Sequence, residues 1–180
     1  RGFAPPADAN DPAPVSVKLL VAAAPVSVAE QFAGLLGKVP GVELSPHFER
    51  GQVGSDDLEV MARIDVDGDF GIDLVHLPVD PANQALWTFA GHGALGTIFL
   101  LDAQVGASAA GLAEIGATLG SKPQARTFHV VMLAPGERLS PDELRDNLSL
   151  IDDASLFLLP MEPDKDPSSL LRSLFARIVP

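Results

Sequence analysis

Residues 15–24 constrain the fold more than any other part of this sequence. They read VSVKLLVAAA and are apolar or β-branched at nearly every position, without the alternation of a half-exposed strand. Such a run is typical of a central strand that is covered on both faces. The sequence therefore predicts an α/β fold in which helices flank a sheet.

The segment after this strand predicts a helix. Beyond Pro25, the residues Val28, Phe32, Leu35 and Leu36 follow one another at helical spacing, which places them on one face of a helix. The strand and this helix form a first strand-turn-helix unit.

The remaining elements alternate. Asp67-Gly68 between the runs 58–66 and 70–77 favours a hairpin, and Ser140 begins a helix with a capping box. Further helices are predicted at 82–90, at 108–119 and from Asp166, and further strands at 95–101, 127–133 and 155–159. This order predicts a six-stranded, mostly parallel sheet with one antiparallel strand.

Residues 1–14 differ from the rest of the chain. They are rich in Pro, Ala and Asp and show no apolar periodicity, as is typical of a flexible linker or tether. The folded domain is predicted to comprise residues 15–180. Because the sequence starts without Met, we expect a fragment of a larger protein.

Composition narrows the class of protein. The formal net charge is −12, which disfavours nucleic acid as a partner because the phosphate backbone is also negative. Without cysteine, neither a disulfide framework nor a thiolate metal site can form. The longest apolar stretch, 85–101, contains Gly91-His92-Gly93 and is too short for a membrane span. We expect a soluble, cytoplasmic protein.

The predicted sheet, with one antiparallel strand in second place, resembles that of Ras-like small GTPases, in particular the bacterial gliding-motility and polarity type. The resemblance covers about 15–179 and depends on three stretches: KLLVA at 18–22, GALGTIFLLD at 93–102 and LSPDELR at 139–145. It implies a Ras-like three-layer sandwich.

In that family, the turn after the first strand holds the phosphates with glycines, a Lys and a Ser or Thr. Here the position of the first Gly is Ala23, that of the Lys is Ala29, and that of the Mg²⁺-binding hydroxyl is Glu30. The position of the Gly that contacts the γ-phosphate is Val79. The phosphate loop (Walker A) is therefore predicted to be degenerate.

The guanine-recognition motif also departs from the family pattern. The matching stretch 131–137 reads VMLAPGE and contains neither Asn nor Lys, and Glu137 is the nearest substitute for the Asp that reads guanine. The resemblance with these departures predicts a pseudo-GTPase, which is not an enzyme.

Three residues are candidates for an interaction site. His76 closes a strand at the edge where ligands bind in such folds. Trp87 and Phe89 lie on the short helix that, in active relatives, moves with the nucleotide state. Large aromatics at this spacing are commonly core residues, and the alternative is a face that binds a partner.

Other chemistry finds no support in the sequence. The run DVDGD at 65–69 is reminiscent of a calcium loop, but His76 stands where an EF-hand needs Glu. The four histidines lack metal-ligand spacing, and no G-x-S-x-G elbow is present. No catalytic, cofactor-binding or metal-binding residue is predicted.

The leading hypothesis is a non-catalytic, GTPase-like interaction or dimerisation module of a bacterial regulatory protein, in polarity, motility or signalling. The resemblance implies a Roadblock-type regulator or a second copy as the partner. The alternative is a nucleotide- or small-ligand-binding domain, or a hydrolase, with a rebuilt pocket near Ala24, His76 and Ala134. A receiver-like domain ranks last, since 22–24 contain no acidic pair.

Overall fold

The computed structural model describes residues 15–52, 58–66, 68–103, 109–119, 126–148, 155–162 and 164–178. The predicted linker 1–14 and Asp67 of the predicted turn lie outside these residues. The strands are β1 Val15–Ala24, β2 Val42–Leu44, β3 Glu59–Asp65, β4 Phe70–Leu77, β5 Ala94–Asp102, β6 Arg126–Leu133 and β7 Ser155–Pro160. The helices are α1 Val26–Leu36, α2 Pro46–Glu49, α3 Gln84–Gly91, α4 Ala109–Leu119, α5 Pro141–Leu148 and α6 Ser168–Ile178, and a 3₁₀ turn, Pro81–Asn83, precedes α3.

The strands form one sheet in the order β2-β3-β4-β1-β5-β6-β7. β1 pairs in parallel with β4 and β5, and the parallel pairing continues through β6 to β7. β3 is antiparallel to both β2 and β4, so it is the one described strand that runs against the others. The predicted central strand and the predicted hairpin are therefore confirmed.

The sheet has seven strands where six were predicted. The additional strand, β2, is three residues long and pairs with β3 at the edge of the sheet. Its two apolar residues, Val42 and Leu44, are too few to give an alternating pattern, and a turn at Gly41 (φ 84°) leads into it. Pairing with β3, rather than local sequence, makes this segment a strand.

Two apolar clusters cover the two faces of the sheet. In β1, Leu19 and Val21 face the cluster that includes α1 and α6, whereas Leu20 and Ala22 face the cluster that includes α3, α4 and α5. Each fully buried Leu or Val side chain contributes roughly 1.5–3 kcal/mol. Burial on both faces explains why the predicted central strand is continuously apolar, and it makes the domain a three-layer α/β fold.

The start of α5 is set by its predicted capping box. The Ser140 hydroxyl accepts from the Glu143 backbone N–H at 3.1 Å, and the Glu143 carboxylate accepts from the Ser140 N–H at 3.4 Å. These two bonds satisfy donors that the first helical turn leaves without intrahelical partners.

None of the helices in the described part of the chain is both long enough and apolar enough to span a membrane.

Candidate functional site

The carboxyl edge of the sheet is where folds of this class bind their ligands. The parallel strands end there, at Ala24, Leu77, Asp102, Leu133 and Pro160. The connections after β1, β4 and β6 are described residues, and each has a different geometry. Together they form much of the described part of this edge.

The connection between β1 and α1 is a single residue, Pro25. The helix starts directly after it, and the Val28 N–H donates to the Pro25 carbonyl at 3.0 Å. Val28 and Ala29 are buried in the core below α1. Ala29 stands at the position of the family's phosphate-binding Lys, so no side chain from this position reaches the edge. The half-buried Glu30 adds negative charge. This turn does not fit a nucleotide phosphate with Mg²⁺, which needs glycines, a cation and a hydroxyl.

The connection after β4 is held by a buried tryptophan. Trp87 is 1% exposed, and its indole N–H donates to the Pro78 carbonyl. His76 is 2% exposed, with its ring edge-on to Phe48 and the two ring centroids 5.6 Å apart. Two of the three predicted interaction residues therefore lie in the interior.

Phe89, the third, lies at the surface. Its side chain is 74% exposed, although it lies on the same helix as Trp87 and only two residues later. Two residues are about 200° apart around an α-helix, so the two rings point in nearly opposite directions. α3 thus combines a buried anchor with an exposed aromatic ring.

The connection after β6 is a closed turn. Gly136 has a φ of 79°, and the Glu137 N–H donates to the Ala134 carbonyl at 3.0 Å. The Glu137 carboxylate in turn accepts from the Ala134 N–H at 3.0 Å. Glu137 is the nearest substitute for the Asp that reads guanine in the family, and one of its carboxylate oxygens is therefore engaged in its own turn.

One polar cluster beside this edge was missed in the sequence. The His47 Nδ1 lies 2.9 Å from a Glu59 carboxylate oxygen, and Glu59 is paired with His76 across β3 and β4. The other Glu59 oxygen and the Ser45 hydroxyl are buried without a hydrogen-bond partner. The cluster forms because β2 places 45–47 beside β3, and β2 has no sequence signature. Within the described residues, no group of three His, Asp or Glu side chains could hold a metal ion.

The amino edge of the sheet carries an apolar groove of about 600 Å³ between α1, α6 and the hairpin of β3 and β4. Two exposed valines mark the same end of the molecule, Val15 at 63% and Val66 at 55%. Residues that line the groove include Leu36, Val39, Val42, Ile64, Phe70 and Phe175. The sequence did not predict this groove, because its walls come from five separate elements: α1, β2, β3, β4 and α6.

A smaller cavity at the amino edge, about 120 Å³, lies between β6, β7 and the end of α6. His129 lines it, and burial is the main cause that lowers the pKa of His129 below its usual value. A hydrogen bond with the Ser155 backbone opposes this shift, and the charge of Arg145 adds to it. The imidazole is thereby favoured in its neutral form.

No protein-family model matches the sequence, and no curated protein does. Solved structures do match in fold. A point variant of Aquifex aeolicus Era bound to GDP·AlF4⁻ is 13% identical with a TM-score of 0.53, and Era in complex with MgGDPNP and nucleotides 1506–1542 of 16S ribosomal RNA is 12% identical with a TM-score of 0.52. A bacterial selenocysteine-specific elongation factor, EF-Sec, is 10% identical with a TM-score of 0.57.

These matches cover 91%, 92% and 91% of this chain, respectively. The chain spans 56% of each Era chain and 28% of the EF-Sec chain. At such low identity the likeness concerns the fold.

The comparisons contradict the prediction that this chain is not an enzyme. The neighbours in fold are GTPases, and two of them hold GDP·AlF4⁻ or MgGDPNP. The prediction inferred inactivity from the phosphate-loop and guanine-recognition positions alone, whereas the fold as a whole is one that holds guanine nucleotides in these neighbours. The chain has a GTPase-like α/β fold.

Proposed function

We propose that this chain is a GTPase-like interaction domain of a bacterial, cytoplasmic regulatory protein of the gliding-motility and polarity type. It binds a basic protein partner through the outer face of α3. The observation that carries this proposal is the 74% exposure of Phe89 on a helix that Trp87 anchors to the sheet.

The anchoring matters because a rigid aromatic side chain loses little entropy on binding. Trp87 packs in the core and donates to the Pro78 carbonyl. α3 is thereby fixed both to the core and to the connection that follows β4. Pre-organised aromatic residues at the centre of an interface commonly supply much of its binding energy. His76 is buried on the other face of the sheet, where its ring meets Phe48, so it is not part of this surface.

The charge of the chain indicates the chemistry of the partner. The net charge is −12, and exposed acidic residues flank α3: Asp80 in the turn before it and Glu114 on α4, which packs against α3. A basic partner would be steered towards this surface. A second copy of the chain would meet charge of the same sign, so a Roadblock-type regulator with a basic surface is the favoured partner. RNA is not proposed, for the same electrostatic reason.

The experiment is affinity co-purification from bacterial cells, quantified for the wild type, Phe89→Ser and Val15→Ser. Val15 is the matched control, since it is a similarly exposed apolar residue at the other end of the molecule. The proposal expects a protein that is lost with Phe89→Ser and retained with Val15→Ser, and that binds the purified chain directly with salt-sensitive affinity. Equal recovery with both variants, or concentration-dependent dimerisation that Phe89→Ser abolishes, would overturn it.

A second candidate is a nucleotide- or small-ligand-binding domain, including a hydrolase, with a rebuilt pocket at the carboxyl edge. The nucleotide-bound GTPases among its neighbours in fold favour this candidate. Isothermal titration with GTP, GDP and ATP, each with and without Mg²⁺, tests it. Binding that survives Phe89→Ser would place the ligand at the carboxyl edge. No heat with any nucleotide would rule out this second candidate and leave the interaction domain as the remaining proposal.

A further inference from the structure

The groove at the amino edge is a contiguous apolar surface to which many side chains contribute. Its floor consists of aliphatic and aromatic residues of five elements, and the exposed Val15 and Val66 lie at the same end. Isolated exposed apolar residues are normal on a protein surface, but a contiguous apolar groove marks a contact site. Such a groove is expected to be covered by another segment.

The chain itself arrives at the rim of the groove. The Val15 N–H donates to the Asp69 carbonyl at 2.9 Å, and Val15 is paired with Phe70, which lines the groove. Residues 1–14 therefore join the domain beside the groove. From Val15 back to Phe3 there are 12 residues, which span about 37 Å in a polyproline II conformation.

The composition of residues 1–14 matches the lining of the groove. Phe3 is the one large apolar side chain of the segment, and Pro5-Pro6 follows it closely. Proline-rich segments bind in grooves lined by aromatic residues, because their extended conformation is already formed. Phe70 and Phe175 provide aromatic rings in the groove.

Charges of both signs lie on the groove and on the segment. Arg172 and Asp65 are exposed and line the groove, and the segment carries Arg1 as well as Asp8 and Asp11. An opposite charge at the rim adds attraction at short range, although an exposed pair contributes little by itself. Because the segment is covalently attached, its effective concentration at the groove lies in the millimolar range. Even a weak contact would then be well populated.

We propose that residues 1–14 dock into the amino-edge groove, with Phe3 as the apolar anchor and Pro5-Pro6 against the aromatic lining. The docked segment covers the groove. This proposal concerns a different surface from Phe89, so each can fail without the other.

The absence of cysteine from the sequence permits a specific test. A nitroxide label on Phe3→Cys in the full chain should broaden the methyl resonances of groove residues such as Val66 and Leu171. The same label on Thr88→Cys, exposed on α3, should leave them sharp. A label at position 3 that broadens no groove resonance would overturn the proposal and leave 1–14 as the tether predicted from composition.

Because the label replaces the proposed anchor, a second measurement uses unlabelled chains. Phe3→Ser should raise the fluorescence of an apolar dye that binds the exposed groove, whereas the control Ala9→Ser should match the wild type. Equal fluorescence of all three chains would contradict docking. Broadening that disappears on dilution would show that a second copy, rather than the same chain, supplies the segment, and would also overturn it.

Discussion

At the carboxyl edge of the sheet the described turns close on themselves, whereas at the amino edge apolar side chains remain uncovered. Trp87 bonds to the Pro78 carbonyl, and Glu137 bonds to its own turn. At the opposite edge, Val15 and Val66 are more than half exposed beside a groove of about 600 Å³. One sheet thus presents two ends of different chemistry.

This difference shows where to look for function. In a GTPase-like fold the carboxyl edge is the expected ligand site, but its β1–α1 turn in this chain is shaped by packing and lacks the groups that hold phosphate. The amino edge is not an expected ligand site in such folds, yet it carries the apolar groove. Substitutions at both edges measure how firmly each is built, and the largest effect on stability is expected at Trp87.

The largest effect is expected at the carboxyl edge. Trp87→Ala should lower the free energy of unfolding by about 3–5 kcal/mol, because it leaves a cavity in the core and removes the donor to Pro78. Phe89→Ala, on the same helix, should change it by less than about 0.5 kcal/mol, since that ring is exposed. Urea unfolding measures both. Similar losses for the two variants would contradict the assignment of Trp87 as the buried anchor of α3.

At the amino edge, Gly96 tests how closely β5 and β6 approach. A Cβ atom at this position would lie 2.8 Å from the Arg126 carbonyl oxygen, so Gly96→Ala should cost about 1–3 kcal/mol. The control is Gly34→Ala in α1, where a Cβ meets nothing within 4 Å, and a gain of roughly 0.5–1 kcal/mol is expected. Thermal or urea unfolding checks both signs. A neutral Gly96→Ala would mean that the two strands can separate.

The capping box tests the connection that follows β6. Ser140→Ala should lower the free energy of unfolding by about 1 kcal/mol, because the Glu143 N–H loses its acceptor at the start of α5. Ser173→Ala, at an exposed position within α6, should fall within about 0.5 kcal/mol of the wild type. Equal effects would show that the cap does not stabilise the domain.

The smallest effect concerns His129 at the amino edge. Its folded-state pKa is lowered, mainly by burial, so the unfolded chain takes up a proton at a higher pH than the folded one. Stability from this group is complete above the unfolded pKa of about 6.5 and is lost as the pH falls towards the folded value. Urea unfolding at pH 7 and pH 5 should therefore show a smaller loss for His129→Gln than for the wild type. An equal loss would contradict a buried neutral imidazole.

Local patterns predicted most of the elements. The run 15–24 became β1, the stripe from Val28 to Leu36 lies on α1, and Ser140 begins α5. These features depend on residues that are close in sequence, where helical or strand periodicity is visible. β2 was missed because only pairing with β3 defines it, and the cluster of His47 and Glu59 was missed with it.

The sequence by itself determined the layered α/β order, the covered central strand and the acidic surface, because each follows from the local arrangement of apolar and charged residues. Only the tertiary structure decided that Trp87 is buried and Phe89 exposed, that Glu137 closes its own turn, and that five elements enclose a groove beside Val15. Those outcomes depend on which distant segments pack together. Periodicity in the sequence shows which residues share one face of a helix, but the segment that packs against that face decides whether it is buried or exposed.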